Sequence, residues 1–169
     1  MRPVSYMILI IIVIVFFTKM NMYDSNNEIV NYILRSFYHA NMSHLIANGI
    51  SFYNLSFIED VLGSVKFLIA MIFIWIISSL LLYVYHHFFP SRKVLTVGFS
   101  GVIFGLFVVY YSMIGDGAGF TVGRLIISIV PQLVVPGISW EGHICGIIAG
   151  VLYVLLFPKI PKISPRGNL

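Results

Sequence analysis

Residues 98–104, GFSGVIF, place a serine between two glycines at the beginning of an apolar stretch. A serine in an apolar helix usually donates its hydroxyl hydrogen to its own backbone, so it indicates chemistry only when other polar residues accompany it. The interpretation of this segment therefore depends on which partners the rest of the chain provides.

The composition around this segment is that of a membrane protein. Of 169 residues, 59% are hydrophobic and only 9% are charged, whereas soluble domains carry about 25% charged residues. No linker, charge block or repeat divides the chain, so we expect a single domain over residues 1–169. The single cysteine, Cys145, excludes an internal disulfide.

Six apolar stretches end at charged residues, proline or glycine, and each is predicted to form a helix. Their bounds are about 3–18, 43–58, 66–85, 98–114, 120–135 and 143–157. The third reaches the roughly 20 residues that a hydrocarbon core requires. The second, fourth and sixth are short and contain polar residues, as expected for enclosed helices that border a wet cavity. The pattern predicts an all-α integral membrane protein with six transmembrane helices.

Alternating helix directions would bring four polar side chains to one side of the membrane. In a six-helix bundle of this kind, the second, fourth and sixth helices begin at the same face. His44 and Asn48 lie one turn apart near the start of the second stretch and share a helical face. Ser100 opens the fourth stretch and His143 opens the sixth. We expect these four residues at similar depth.

Glycines predict close packing between the fourth and sixth helices. Gly101 follows Ser100, and Gly146 and Gly150 follow His143 at three and seven positions. Small residues at such spacing let two helix backbones approach each other. This packing would bring the serine and histidine side chains within hydrogen-bond reach.

These residue types are the ones that acyl transfer needs. A serine hydroxyl becomes a strong nucleophile when a neutral imidazole takes its proton. The resulting oxyanion needs donors already in place, and helix-start amides together with Asn48 and His44 would provide them. Gly98 and Gly101 would give the backbone freedom at this turn and leave space for a substrate strand.

Three motifs, in this order along the chain, resemble the signatures of rhomboid intramembrane serine proteases. They are HLIAN at 44–48, GFSG at 98–101 and GHICGIIAG at 142–150. The resemblance covers roughly residues 37–157 and implies the minimal six-helix form.

The resemblance also implies roles for individual residues. Ser100 would be the nucleophile and His143 the general base of a dyad, with His44 and Asn48 in the oxyanion hole. The fifth helix, 120–135, and the loop at 136–142 would form a lateral gate for transmembrane substrates.

Three positions bear on how closely the chain follows the family. Many members have a tyrosine one turn after the serine that stacks on the catalytic histidine; Phe104 here retains the ring without the hydroxyl. Asp116 lies at the far end of the fourth stretch, and Glu141 is two residues from His143, on a different helical face. A dyad is therefore predicted, and not a triad.

Each site residue also has a structural interpretation. Ser100 could bond its own helix backbone, the two site histidines could hold helices together, and Asn48 could be a packing amide. Gly146 and Gly150 are packing residues under any hypothesis. Ionisable residues inside a membrane segment, however, indicate a functional site by default.

The remaining histidines are expected to be structural. His39 is interpreted as structural or interfacial, and His86 and His87 as interfacial side chains in a loop. A metal site at this histidine pair lacks further ligands. The predicted protein therefore uses no metal and no cofactor.

Two other function classes remain as alternatives. The first is a catalytically silent rhomboid-like factor, similar to the derlins, that binds membrane proteins or serves in quality control. The presence of both Ser100 and His143 argues against it, because inactive relatives typically lack one or both. The second is a small transporter or channel, for which the sequence shows no inverted repeat or broken midplane helix.

The distribution of basic residues favours cytosolic termini. The net charge of +4 is scattered over short connecting segments, which indicates membrane topology and no nucleic-acid partner. The terminal side would hold Arg2, Lys66, Arg124, Lys159, Lys162 and Arg166, and the other side Lys19, Arg35, Arg92 and Lys93. The active site would then open to the lumen or exterior, and the partners would be transmembrane protein substrates and the lipid bilayer.

Overall fold

The computed structural model describes residues 1–19, 25–90, 96–114, 123 and 139–163, and the regular structure of these residues is entirely helical. The α-helices are α1 (Pro3–Thr18), α2 (Glu28–Leu34), α3 (Met42–Leu55), α4 (Phe57–Leu62), α5 (Ser64–Phe88), α6 (Ser100–Ile114) and α7 (Trp140–Leu156). A 3-10 turn, Arg35–Phe37, continues α2. The predicted fifth helix at 120–135, apart from Gly123, and most of the predicted gate loop at 136–142 lie outside the described residues.

Helix α2 was not predicted from the sequence. Its seven residues are too few to give a clear periodic pattern, and its start is fixed by the Asn27 side chain, which accepts hydrogen bonds from the Ile29 and Val30 amides. The Trp75 indole donates to the Ile33 carbonyl at 2.8 Å and holds α2 against α5. Tertiary contacts and a cap therefore stabilise a helix that hydropathy does not show.

Several predicted helix ends differ from the structure, including the start of the last helix, which lies at Trp140 and not at residue 143. The stretch expected at 43–58 ends at Leu55, and a separate short helix begins at Phe57. The stretch expected at 66–85 begins at Ser64 and runs to Phe88. The additional C-terminal turn takes His86 into the helix.

One described helix, α5, is long and apolar enough to cross a membrane by length and composition, with 25 residues and a mean hydropathy of 2.6 over an 18-residue window. Helices α1, α6 and α7 are apolar but have only 16, 15 and 17 residues. The 15 residues of α6 span about 22 Å, less than a hydrocarbon core about 30 Å thick. The all-helical prediction holds for the described residues, and the number of six transmembrane helices stays a prediction.

Helix α6 lies at the centre of the described bundle, packed against α3, α5 and α7. Its buried residues occur on all sides of the helix: Val102, Ile103, Phe104, Gly105, Leu106, Val108, Val109 and Met113. In contrast, α1 exposes a row of large apolar side chains that includes Ile10, Ile14 and Phe17. A short helix enclosed by its neighbours at the centre of the bundle is the arrangement that the polar start of α6 requires.

Glycines bring α6 and α7 into backbone contact. A Cβ at Gly146 would overlap the Gly101 carbonyl oxygen, and a Cβ at Gly150 would lie 2.5 Å from the Gly105 oxygen. Because real Cβ atoms do not approach other atoms so closely, neither α7 position tolerates a side chain at the present helix separation. The contact fixes the start of α6 beside the start of α7.

A carboxylate joins α1, α4 and α5 at the opposite end of the bundle. Glu59, 1% exposed, accepts hydrogen bonds from the Val4 amide at 3.0 Å and the Ser5 amide at 2.9 Å. It also accepts from the Ser5 and Ser64 hydroxyls, each at 2.7 Å. These bonds satisfy first-turn amides of α1 that have no partner inside the helix.

Replacement of Glu59 by alanine is expected to lower the free energy of unfolding by about 3 kcal/mol, because buried donors of Val4 and Ser5 lose their acceptor. The control is Asp60→Asn, which removes an exposed ion pair with Arg2 and is expected to cost less than about 1 kcal/mol. Unfolding in mixed micelles, followed by circular dichroism, measures both. Equal losses in the two variants would contradict a structural role for the Glu59 network.

The glycine contact gives a second prediction. Gly146→Ala is expected to destabilise the fold by about 1–3 kcal/mol, because its Cβ meets the rigid backbone of Gly101. A Cβ at Gly49 meets nothing within 4 Å, so Gly49→Ala is expected to be neutral or stabilising by up to about 1 kcal/mol. The same unfolding measurement applies. Similar stability of the two alanine variants would show that α6 and α7 are not held by backbone contact.

Candidate active site

Ser100 is the first residue of α6 and follows a turn that requires glycine. Gly98 has a φ of 108°, in the region that side chains rarely adopt, and its amide donates to the Arg35 carbonyl at 3.2 Å. The Ile103 amide donates to the Phe99 carbonyl at 3.1 Å, which is the start of the helical hydrogen-bond pattern. The amides of residues 100–102 therefore precede that pattern and lie at the positive end of the helix dipole.

The imidazole of His143 reaches the serine hydroxyl. Its Nε2 lies 2.8 Å from Ser100 Oγ, within the range in which a base takes a proton from a nucleophile. His143 belongs to the first turn of α7 and is 8% exposed, whereas Ser100 is half-buried. The structure thus joins two residues 43 positions apart in the chain as one hydrogen-bonded pair.

Phe104 fixes the plane of this imidazole. Its ring lies against His143 with centroids 4.4 Å apart and an interplanar angle of 24°, a stacked arrangement. Phe104 is one turn after Ser100, so the helix that carries the hydroxyl also carries the ring that orients its partner. The family resemblance implies this stacking of the ring at residue 104 on the imidazole of His143.

His44 and Asn48 converge on the turn before Ser100. A Cβ placed on Gly98 would lie 2.7 Å from His44 Nε2 and 3.1 Å from Asn48 Nδ2. Asn48 is 6% exposed, and its Nδ2 has no hydrogen-bond partner among the described residues. A buried amide donor without an acceptor, next to a serine at a helix start, is available for an oxygen of a bound molecule.

Of the two uses predicted for the glycines that flank the serine, backbone freedom is confirmed at Gly98 by its φ of 108°, and free space is not found at either Cβ position. The expected space for a substrate strand is taken at Gly98 by the His44 ring and at Gly101 by the Gly142 carbonyl, 3.1 Å from a Cβ at that position. The missing side chains make room for this chain's own oxyanion-donor candidates and for α7. The prediction of free space beside them was wrong.

His39 lies behind His44 and is 1% exposed, so its structural interpretation holds and its interfacial one does not. The two rings meet edge to face, 5.1 Å apart, and His39 Nδ1 lies 3.3 Å from the Phe37 carbonyl, to which it can only donate. Burial, with a smaller contribution from His44, lowers the pKa of His39 to about 4. A neutral imidazole therefore supports the His44 ring at neutral pH.

His86 was predicted to be an interfacial side chain in a loop, and this was wrong. It lies inside α5, is 2% exposed, and its Nδ1 forms a 2.8 Å hydrogen bond with the Tyr32 hydroxyl. The sequence indicated a helix end at residue 85 because polar residues follow the apolar run. Tyr32 of α2, an element that the sequence did not reveal, provides the partner that keeps this turn helical.

Glu141 is buried, with 6% of its surface exposed, and it accepts a hydrogen bond from the Ser139 hydroxyl at 3.2 Å. Ser139 in turn lies 2.8 Å from the Thr96 hydroxyl. This chain of hydroxyls ties the segment before Ser100 to the start of α7 and gives the carboxylate a structural role. The other acid considered, Asp116, lies outside the described residues.

A small cavity adjoins Ser100. It has a volume of about 30 Å³, and its lining residues include Arg35, Ser78, Ser79, Thr96 and Ser100. Sequence reasoning missed Arg35, which looked like an ordinary interfacial cation. Its only sequence signal is its position nine residues before His44, and that signal is weak without a fold.

Comparisons with known proteins show the family of this chain. The model of the Rhomboid domain family matches residues 26–160. A provisionally named rhomboid protein, L523, of Acanthamoeba polyphaga mimivirus is 58% identical over 162 residues, which cover 96% of this chain and 94% of that protein. Rhomboid-like protein 14, mitochondrial, of Arabidopsis thaliana is 31% identical over 78% of this chain and 44% of that protein. An uncharacterized Mycobacterium leprae protein, ML1171, is 32% identical over 72% of this chain and 54% of its own length. The chain therefore belongs to the rhomboid family, whose members are embedded in membranes.

Proposed function

We propose that this protein is an intramembrane serine endopeptidase that cleaves transmembrane segments of other membrane proteins with a Ser100–His143 dyad. The observation that carries the proposal is the 2.8 Å hydrogen bond between His143 Nε2 and Ser100 Oγ at the central helix of the bundle. Membership of the rhomboid family supports the same reaction class.

The reaction follows from this geometry. His143 Nε2 takes the hydroxyl proton while Ser100 Oγ bonds to the carbonyl carbon of the scissile peptide, whose oxygen becomes an oxyanion. As this intermediate collapses, the C–N bond breaks and the imidazolium gives its proton to the leaving amine. A water then attacks the acyl-serine, His143 takes its proton, and Ser100 recovers the hydroxyl hydrogen as the new carboxyl terminus leaves.

Donors for the oxyanion come from two sources. Asn48 Nδ2 and His44 Nε2 approach the Gly98 turn from α3, and Asn48 Nδ2 has no other described partner. The amides of residues 100–102 add the positive end of α6. Preorganised donors of this kind stabilise the transition state most when the surroundings have a low dielectric, as the buried interior of a helical bundle does.

The proposed substrates and setting are supported by membership of the rhomboid family. The protein acts on transmembrane protein segments in a lipid bilayer, and its chemistry needs no metal, cofactor or nucleic acid. Six helices cross the membrane with cytosolic termini, so the dyad opens to the lumen or exterior. The lateral gate expected at 120–135 and 136–142 falls mostly outside the described residues, and its role in substrate entry is part of the proposal.

Proteolysis in liposomes tests the proposal. Purified protein is reconstituted with a panel of fluorescent single-span peptides, and products are mapped by mass spectrometry. Wild type is expected to cut within or beside the span, and Ser100→Ala and His143→Ala are each expected to lower the rate at least about 10³-fold. Cleavage that persists in Ser100→Ala would exclude the dyad. Retention of the peptides without cleavage by folded wild type would favour the silent, derlin-like alternative.

The oxyanion assignment gives a separate prediction. Asn48→Ala is expected to lower kcat by about 10²-fold to 10³-fold with little change in KM, because the lost donor acts mainly in the transition state. Asn54→Ala is the matched control, since Asn54 lies on the same helix and is exposed. An Asn48→Ala enzyme with the kcat of the Asn54→Ala control would remove Asn48 from the oxyanion hole.

A further inference from the structure

A second cavity, at the far end of the bundle from Ser100, combines two lysines with an apolar wall. It has a volume of about 460 Å³, within the range of small-molecule sites, and lies between the start of α5 and the end of α7. Lys66 and Lys159 are the charged residues among those described in its lining. The 17 residues of α7 span about 25 Å and begin beside His143, so this cavity is separate from the proposed dyad.

The acidic residues of the neighbouring helix α4 are bonded to α1. Asp60 forms an ion pair with Arg2, with Oδ2 2.6 Å from Nε. Glu59 accepts hydrogen bonds from the Val4 and Ser5 amides. The charge that this cavity presents through its described lining is therefore positive.

The wall of the cavity is held in place by its own packing. The Tyr153 and Phe157 rings stack with centroids 4.8 Å apart, and the Phe73 ring contacts both of them. Beyond α7 the Ile163 amide donates to the Met113 carbonyl at 2.8 Å, which fixes the following segment to the end of α6. The cavity is thus formed before a ligand arrives, and binding requires little rearrangement.

The charged and apolar parts of the cavity follow a definite order. Lys66 lies in the first turn of α5, and Ile69 follows it one turn further into the bundle. Lys159 lies three residues beyond Leu156, the last residue of α7. Both lysines are exposed, and the apolar Ile69 and Leu156 side chains are 47% and 63% exposed. Positive charge at the end of the bundle, with apolar surface inside it, matches a phospholipid with its phosphate outside and its chains inside.

Other occupants match this order less well. A soluble anion would contact the lysines and leave the apolar wall uncovered. An acidic peptide would bring backbone amides that the apolar wall cannot pair. A zwitterionic lipid carries its own cation, so it gains less from two lysines than an anionic lipid does.

The end of the bundle that carries the cavity is also consistent with an anionic lipid. The ion pair between Arg2 and Asp60 places the start of the chain at this end, which is the side proposed to be cytosolic. Anionic lipids give the cytoplasmic leaflet its negative surface potential, and basic cavities between helices on that side bind their headgroups.

We propose that this cavity binds an anionic phospholipid, with the headgroup phosphate between Lys66 and Lys159 and an acyl chain along the apolar wall of α5 and α7. The site goes beyond the proposed proteolysis and does not depend on it.

Lipid titration with matched acyl chains tests the site. The full-length protein is released from detergent micelles in a mass spectrometer after addition of dioleoyl phosphatidylglycerol or dioleoyl phosphatidylcholine, and bound lipids are counted. Wild type is expected to bind one phosphatidylglycerol at least about tenfold more tightly than phosphatidylcholine. Lys66→Gln and Lys159→Gln are each expected to weaken phosphatidylglycerol binding about fivefold, and the double variant to lose the preference. Equal wild-type affinities for the two lipids would overturn the proposal whether or not the variants fold.

Lys162→Gln is the matched control, because it removes the same charge at the same end of the bundle. Lys162 is not among the described lining residues, and its Nζ donates to the Ser112 carbonyl. The folded control, checked by circular dichroism, is expected to keep the phosphatidylglycerol affinity of wild type within about twofold. A loss as large as that in Lys66→Gln would show attraction to general surface charge and contradict a defined site.

A second pair of measurements distinguishes a lipid from a soluble anion. Ile69→Trp places a larger ring on the cavity wall without a change of charge, and it is expected to weaken phosphatidylglycerol binding at least about fivefold. Glycerol phosphate, which has the phosphate without the chains, is expected not to displace the lipid at equal concentration. Displacement by glycerol phosphate, or an unchanged affinity in Ile69→Trp, would contradict a lipid as the ligand.

Discussion

Helices α6 and α7 touch backbone to backbone, because Gly146 and Gly150 present no side chain to the carbonyl oxygens of Gly101 and Gly105. Each helix begins close to the contact, so the residues at the two helix starts have little freedom to separate. Ser100 and His143 therefore face each other through the packing of the bundle, and not through flexible loops. The position of the proposed dyad is in this sense a consequence of missing side chains.

A glycine without a side chain also allows close contact on the other side of the serine. Gly98 adopts a backbone conformation that excludes most residues, and the space of its absent side chain holds the His44 ring and the Asn48 amide. His39 supports His44 from behind as a buried ring. Polar groups that would be costly in an apolar bundle are thus held in contact with one another around a single turn, which is the arrangement expected of a preorganised site.

Part of the fold and of the candidate site could be predicted from the sequence, for physical reasons. Apolar length reveals helices that face lipid, and glycine spacing reveals helices in close contact, so the all-helical class and the meeting of Ser100 with His143 were accessible. The family prediction is confirmed by the comparisons. Helix α2 and the last turn of α5 were not accessible, because the Tyr32–His86 and Trp75–Ile33 hydrogen bonds that stabilise them join residues distant in the chain. The space around Gly98 was misassigned because a glycine in a sequence does not show which neighbour fills the gap.

Covalent labelling is the most direct test of whether the serine is activated. Folded wild type, Ser100→Ala and His143→Ala are treated with a fluorophosphonate probe in detergent, and the modified residue is mapped by mass spectrometry. An activated nucleophile predicts labelling at Ser100 that is absent in the first variant and strongly reduced in the second. If folded wild type stays unlabelled while an active rhomboid protease is labelled under the same conditions, the 2.8 Å contact between Ser100 and His143 does not make a nucleophile and the catalytic account fails.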